Sequence, residues 1–329
     1  MTTQDFTALK NSLRLPLIAA PMFLVSGVEL VVATCAAGVI GSFPTANCRS
    51  TEELDHWIKE IENRLATAAA EGTSPLAPYC PNLIVHKSNS RVMADLDVLL
   101  RHRPKIVITS VGPPTPVLEP LHDIGTLVFS DVATVHHAEK AVAAGADGLV
   151  LLTAGAGGQT GWINPFVFVQ DVRRFFDGPI VLAGGITDGR SLQVAEALGC
   201  DLGYMGTRFI ATEESMASPV YKQMLVDSRA DDILLTKAFT GLPANMLKAS
   251  ILRAGLDPDN LAERGEIDIT KDINPEVKES DPKRWKDIWS AGHTVSGVSA
   301  VKTTAELVAE IADEYAAARA AEKARLSGT

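Results

Sequence analysis

Two stretches of the sequence end apolar runs in glycine and lie one structural repeat apart. VLAGGITDGR carries Gly184 and Gly185, then Asp188 and Gly189, and MGTR carries Gly206 and Thr207, with Gly206 22 residues beyond Gly184. Paired glycines after a strand let backbone N–H groups approach an anion, and the N-terminus of a following helix adds positive potential. The chemistry expected is phosphate binding, with both strand ends on one phosphate; glycines serving only tight turns are the alternative. A third stretch, Thr153-Ala154-Gly155-Ala156-Gly157-Gly158-Gln159-Thr160-Gly161, is too rich in glycine to pack a core. Its flexible backbone suits a flat ring or a phosphate lying against it, and Gln159 would offer that ligand a neutral amide. A plain flexible turn is the competing reading.

Acid–base candidates are few. His86 follows an apolar run in IVHKSNSR, where a substrate contact competes with a solvated loop, and His136-His137 opens a helix and reads as a surface pair. Asp55, His56 and Glu60 share a helical face that reads as exposed, and with no HExxH or other metal spacing no metal site is expected. Cys35, Cys48, Cys80 and Cys200 are far apart and form no CxxC pair, so they read as reduced thiols, with Cys35 and Cys200 as small core residues.

Eight apolar runs must position these groups: 15–22, 38–43, 82–87, 105–112, 126–132, 148–155, 179–185 and 202–207. Most are continuous rather than alternating, the mark of parallel strands buried on both faces. Amphipathic stretches such as TEELDHWIKEIENRLATAAA lie between them and can each cover a sheet. The rhythm predicts a TIM barrel, an eight-fold repeat of strand and helix in which the last two strand ends commonly hold a phosphate. An open doubly wound sheet is disfavoured because no GxGxxG follows the first strand. After residue 209 the texture changes, and 210–292 reads as a mainly helical substrate or lid domain over the C-terminal face, with 1–209 and 293–329 forming the barrel. The final segment TTAELVAEIADEYAAARAAEKARL reads as a long helix capped by Thr303 or Thr304, with Glu306 in its first turn.

The chain has 329 residues, of which 46% are hydrophobic and 21% charged, which supplies a large core and excludes disorder over most of its length. Its net charge of −10, with no basic run, argues against nucleic acid or an anionic membrane as partner and leaves a small-molecule substrate, with a homodimer as the candidate assembly. A polar start and the lack of a long apolar run lead to the expectation of a cytoplasmic protein.

The set AAPM, NLIVH, AGAGGxxG, VLAGGI with DGR, MGTRFIATEES and WSAG, in this order over nearly the whole chain, resembles the nitronate monooxygenase family, once called 2-nitropropane dioxygenases. The resemblance implies a TIM barrel with FMN on its C-terminal face and an inserted helical domain. Ala20, Pro21 and Met22 would then run along the flavin ring, Asn82 would hydrogen-bond it, Gly157 and Gly158 would approach it, and Ala183, Gly184, Gly185, Gly206 and Thr207 would hold its phosphate. Two positions depart from the family pattern: Gln159 stands where a histidine is usual, and Asp131 where several members have a lysine. Glutamine accepts no proton at physiological pH, so a general base for neutral nitroalkanes is lost while preformed nitronates remain usable. In Trp289-Ser290-Ala291-Gly292-His293 the chain returns to the barrel, so Ser290 or His293 could border the flavin and His293 could replace the missing imidazole, against a plain solvated role.

Three functions compete on these residues: an FMN enzyme oxidising nitronates with O2, an NAD(P)H-dependent FMN reductase of an enone, enoyl thioester or quinone, and a flavin or phosphate carrier without turnover. Met22, Phe23, Trp162, Ile163, Phe166 and Met246 are candidates for an apolar pocket, though such residues also build cores.

Overall fold

The structure is a computed structural model that describes residues 3–264 and 287–327. Eight strands, β1 (Leu17–Ala19), β2 (Ile40–Pro44), β3 (Tyr79–Ile84), β4 (Ile106–Ser110), β5 (Leu127–Val132), β6 (Gly148–Leu152), β8 (Ile180–Ala183) and β9 (Leu202–Met205), form a closed barrel in that order. All neighbours are parallel, and β1 pairs with β9 through Leu17↔Gly203 and Ala19↔Met205 to complete the ring. A ninth short strand, β7 (Gly158–Gln159), lies outside the barrel. The expected TIM barrel is therefore the observed fold, because strands buried on both faces need helices outside and side chains inside.

The inward side chains form an apolar column of Ile18, Ile40, Ile106, Phe129, Val150 and Val181. Helix α1 (Thr3–Asn11) closes its N-terminal end by sending Phe6 against Phe129, ring centres 5.8 Å apart. The opposite end is left for a cavity. Outside, helices α2 (Val28–Ala36), α3 (Thr51–Ala70), α4 (Val92–His102), α5 (Thr115–Asp123), α6 (Val135–Ala144), α7 (Pro165–Arg173) and α8 (Gly189–Ala197) cover the strands. Their starts follow local chemistry: Ser50, Thr134 and Asn164 each accept an N–H of the first turn of α3, α6 and α7. The C-terminal helix Thr304–Ser327 buries Leu307, Val308 and Ile311 in the barrel wall. Thr303 is its cap, since Glu306 N–H donates to Thr303 Oγ1 (3.2 Å) and Thr303 N–H to Glu306 Oε2 (2.9 Å).

The stretch 210–292, expected to be mainly helical, is mixed where it is described. Beyond the short helix α9 (Thr207–Ile210) it holds α10 (Pro219–Asp227) and α11 (Lys248–Arg253), but also an antiparallel hairpin of β10 (Ile233–Thr236) and β11 (Ala244–Leu247). Residues 265–286 of the expected domain lie outside the described set. The hairpin escaped the sequence pattern because each strand has four residues and its partner β7 is distant in sequence. All four cysteines are free and buried. No helix among the described residues is long and apolar enough to cross a membrane.

Candidate active site

A cavity opens at the C-terminal ends of the strands. Its floor is the top layer of the barrel: Asn82 of β3, Ser110 of β4, Asp131 of β5, Leu152 of β6, Ala183 of β8 and Tyr204 of β9. The rim adds Ala20, Pro21 and Met22 after β1, the turns after β8 and β9, and the loop after β6.

The first rim segment is rigid. Ala20 N–H donates to Met205 O (2.9 Å), which extends the β1–β9 ladder, and Met22 N–H donates to Ser26 Oγ (3.0 Å). Asn47 Nδ2 donates to Met22 O (3.1 Å) and Ser26 O (2.8 Å), fixing the turn from below. Asn82 also lines the floor, but its amide already donates to Ile108 O (3.2 Å) and Ser110 Oγ (3.1 Å), which leaves its carbonyl oxygen for a ligand and for the Ser110 hydroxyl.

The proposed phosphate cradle is backbone. Gly184 and Gly185 have φ of +110° and +82°, backbone conformations that L side chains rarely adopt. A Cβ on Gly185 would meet no atom within 4 Å, so the space in front of it belongs to the cavity. Gly206 and Thr207 complete the cradle, and Thr207 Oγ1 accepts from Gly292 N–H (3.0 Å) while its own proton remains for a ligand.

The positive potential expected from the helix after Gly184-Gly185 is already answered within the fold. Asp188 caps α8 by accepting from Ser191 N–H (2.7 Å), and Glu314 of the C-terminal helix accepts from Gly189 N–H (2.9 Å). Two carboxylates at that terminus thus meet its positive potential within the fold. Arg208 turns away too, donating to Thr187 O (2.9 Å) and pairing with Glu310 (3.0 Å).

The glycine-rich loop is pinned rather than free. Gly158 and Gln159 form β7, paired with Asn245 and Ala244 of β11, and Thr160 N–H donates to Pro243 O (3.0 Å). Asn245 Nδ2 donates to Ala156 O (2.7 Å) in a fully buried bond. Glycine is needed because the strap 289–293 presses directly on the loop: a Cβ on Gly157 would lie 2.7 Å from Gly292 N and 3.0 Å from Ala291 C. The backbone that presents Gln159 to the cavity is therefore fixed from both sides.

Ser290 lines the cavity, and its carbonyl accepts from the Tyr221 hydroxyl. Tyr221 of α10 and Trp289 stack at 4.8 Å and 13°, and the Arg253 guanidinium caps the indole at 4.8 Å, so an aromatic layer borders the opening. His293 lies outside the lining: it is exposed, its N–H donates to Gly155 O (2.9 Å), and its ring covers Gly155. His86 is also away from the cavity, with Nδ1 2.8 Å from Ser88 Oγ. Of the apolar candidates, Met22 and Phe23 line the site, whereas Trp162 and Phe166 are exposed, Met246 is fully buried in a separate small core, and Ile163 packs on the barrel wall. Among the described residues no group of histidine, cysteine and carboxylate side chains could hold a metal ion.

Of the two most unusual side chains, the sequence pointed to Asp131 only as a departure from the family pattern and to Tyr204 not at all. Asp131 Oδ1 and Tyr204 Oη are both sealed from solvent with no hydrogen-bond partner, and both residues line the floor. Burial pushes the Asp131 carboxyl up to about 8. Burial raises the Tyr204 phenol as well, with Asp131 and then Cys80 as smaller contributors. No lysine, arginine or histidine lies among the described lining residues. A signal existed: alternation along β5 puts Asp131 on the face of Leu127 and Phe129, which points inward. The glycine cradle and these two orphaned polar groups fit a phosphate-bearing ligand with a polar ring.

Comparison with known proteins agrees with this architecture. The family model for nitronate monooxygenase matches residues 6–314. A nitronate monooxygenase of Paraburkholderia phytofirmans is 28% identical over 278 residues, covering 74% of this chain and 76% of that protein. A (3aS,4S,5R,7aS)-5-hydroxy-7a-methyl-1-oxo-octahydro-1H-indene-4-carboxyl-CoA dehydrogenase of Rhodococcus jostii is 26% identical over 239 residues, covering 73% of this chain and 64% of that enzyme. The chain spans from 42% to 64% of the length of several curated relatives it matches. In three dimensions it is similar to the nitroalkane oxidase of Streptomyces ansochromogenes, with a TM-score of 0.79, 26% identity, and coverage of 95% of this chain and 99% of the other. The chain belongs to the nitronate monooxygenase family.

Proposed function

We propose that the protein is an FMN-dependent oxidoreductase that oxidises alkyl nitronates with O2, taking them from solution already deprotonated. The observation that carries this reading is the make-up of the cavity wall. Its described residues offer neutral groups such as Gln159, Thr240 and Ser290, and its one carboxyl, Asp131, is set into the floor. No group there can remove a proton from a neutral nitroalkane at the mouth. A nitronate needs no such base, and the Gln159 amide can orient its oxygens by donating N–H. Bound FMN would take electrons from the substrate and pass them to O2.

The chain's own residues would bind and orient. Gly184, Gly185, Gly206 and Thr207 hold the phosphate; Ala20, Pro21 and Met22 line one side of the ring; Gly157, Gly158, Ala183 and Asn82 complete its surroundings. The described residues of 210–264 and 287–292 would form the substrate side, with β10–β11 bracing the Gln159 loop and the Tyr221–Trp289 pair bordering the opening. His293 is given no catalytic part, since it stands outside the lining.

A second reading is favoured by the absence of a cation among the described lining residues. An anionic substrate would gain no countercharge in this wall, whereas a neutral enone, enoyl thioester or quinone needs only a donor for its carbonyl oxygen, which Gln159 supplies. NAD(P)H would then be the reductant, and the Rhodococcus relative named as a carboxyl-CoA dehydrogenase is in keeping with a thioester substrate. Anaerobic stopped-flow mixing of the FMN-loaded protein with propionate 3-nitronate, NADH and NADPH separates the two. Loss of flavin absorbance with the nitronate alone supports nitronate oxidation. Loss with a nicotinamide alone refutes it and selects the reductase, and no response to any of them leaves a carrier without turnover.

A further inference from the structure

We propose that Asp131 and Tyr204 form a hydrogen-bond-donor pair in the barrel floor that recognises acceptor atoms on the edge of the flavin ring, with Asp131 acting as the neutral acid. The inference rests on the FMN reading above and assigns a role to two side chains that the phosphate cradle does not use.

Both atoms are sealed in the floor of the cavity without a partner. A buried polar group left unsatisfied costs about 1–3 kcal/mol, so two of them on one wall describe a surface completed by a ligand. The wall also fixes which proton states are available. Tyr204 on β9 and Cys80 on β3 are the titratable groups that face Asp131, and burial holds each in its neutral form. Ser110 on the adjoining β4 and Asn82 on β3 carry no charge and are bonded to each other. With no cation in the described lining, a carboxylate at Asp131 has nothing to balance it, whereas the acid form gains an O–H donor. Tyr204 supplies a second O–H from β9. The pyrimidine part of a flavin presents carbonyl oxygens and ring nitrogens along one edge, which such donors can meet. Ionised, Asp131 would instead set its negative charge against those lone pairs.

Binding should therefore be coupled to the Asp131 proton. The test is the Kd of FMN for the cofactor-free protein by equilibrium dialysis from pH 6.5 to 9.5, with riboflavin, which has no phosphate, run in parallel so that a slope shared by both ligands is free of phosphate ionisation. The expected wild-type Kd is flat at neutral pH and rises by at most about tenfold per pH unit above about pH 8, the value to which burial moves the Asp131 carboxyl. Asp131→Asn keeps a donor of the same shape at every pH, so its Kd stays flat across the range and near the wild-type value at pH 7. Tyr204→Phe weakens binding by about 2- to 12-fold at all pH values, the equivalent of one hydrogen bond. A wild-type curve that is flat to pH 9.5, a slope shared by Asp131→Asn, or loss of FMN by a folded Asp131→Asn protein overturns the assignment. Should Asp131→Asn not fold, the wild-type slope and the Tyr204→Phe shift decide, and either one missing overturns it. A wild-type protein that binds FMN at no pH overturns the FMN reading instead.

Discussion

Replacing Asp131 with asparagine should stabilise the cofactor-free protein, and the gain should grow with pH. Burial moves the carboxyl from 3.8 to about 8 in the folded chain. Below about pH 3.8 the folded and unfolded states both hold the proton, and the group takes nothing from stability. Between 3.8 and about 8 the unfolded chain releases the proton while the folded chain keeps it, so folded-state stability falls by about 1.36 kcal/mol per pH unit. Above about 8 both states are ionised and the loss is constant. At pH 7 roughly three units have been crossed, which sets an upper limit of about 4 kcal/mol; the residue opens partly onto the cavity, and water there reduces the expected effect to about 2–4 kcal/mol.

Asparagine has no proton to lose but keeps a polar group in the same place, so its own desolvation is the same at every pH. The readout is thus the slope of the stability difference rather than its size at one pH. Urea unfolding of both proteins at pH 5, 6, 7, 8 and 9, with m-values compared to confirm that the same transition is followed, provides it. The difference should rise by about 1 kcal/mol per unit from pH 5 and level off past pH 8. Parallel stability profiles from pH 5 to 8 would falsify the description of Asp131 as a neutral acid in the folded protein.

The remaining predictions concern the loop after β6 and the cradle. Gln159→His should confer flavin reduction by neutral nitroalkanes, with a rate that rises with pH as the imidazole loses its proton; a variant active only on nitronates would count against the base argument. Gly157→Ala places a methyl 2.7 Å from Gly292 N, backbone that cannot move aside cheaply, and should lower stability by about 1–3 kcal/mol in a denaturant titration. Asn245→Ala removes the buried bond to Ala156 O and strands that carbonyl, so a cost of about 1–3 kcal/mol and a raised KM are expected from the same titration and from steady-state kinetics. Gly185→Val sets a branched side chain at φ +82° in front of the cradle, and dialysis should show FMN affinity reduced by at least about tenfold while circular dichroism keeps the barrel signature.

The barrel was legible because its signal is local: each strand is a run of apolar residues, and the eight runs recur in the order in which they pair. Their ends were less so. The run 82–87 corresponds to Tyr79–Ile84, since a pattern search stops at Pro81, whereas a barrel strand here accommodates that proline between Cys80 and Asn82. The run 15–22 shortens to Leu17–Ala19 because Pro16 and Pro21 bound it. The loop 153–161 looked flexible from its composition. Its glycines instead let two backbones touch, and what holds them is Asn245, 89 residues from Ala156, and the still more distant strap at 289–293, both invisible to any local pattern. Asp131 could be read only as a lysine replaced; its isolation depends on what the other seven strands place around it.

What separates one chemistry from another in this cavity is therefore a matter of side chains on a fixed backbone. Gln159 sits in a strand pair, Ala244↔Gln159, and the residues before and after it are held by Asn245↔Gly158 and by the bond from Thr160 to Pro243. A substitution at 159 changes the functional group without giving the loop freedom to retreat, so a histidine there would meet the substrate from the direction the glutamine now does. The floor follows the same logic: β5 and β9 fix where Asp131 and Tyr204 stand, and in the proposed role the absence of a cation among the described lining residues favours the carboxyl as a donor. Among the described residues the lining carries one carboxyl and no cation, which under the proposed function suits substrates that bring their own reactivity, whether as a preformed carbanion equivalent or as an electron-poor double bond. The stopped-flow experiment asks which of these the flavin meets.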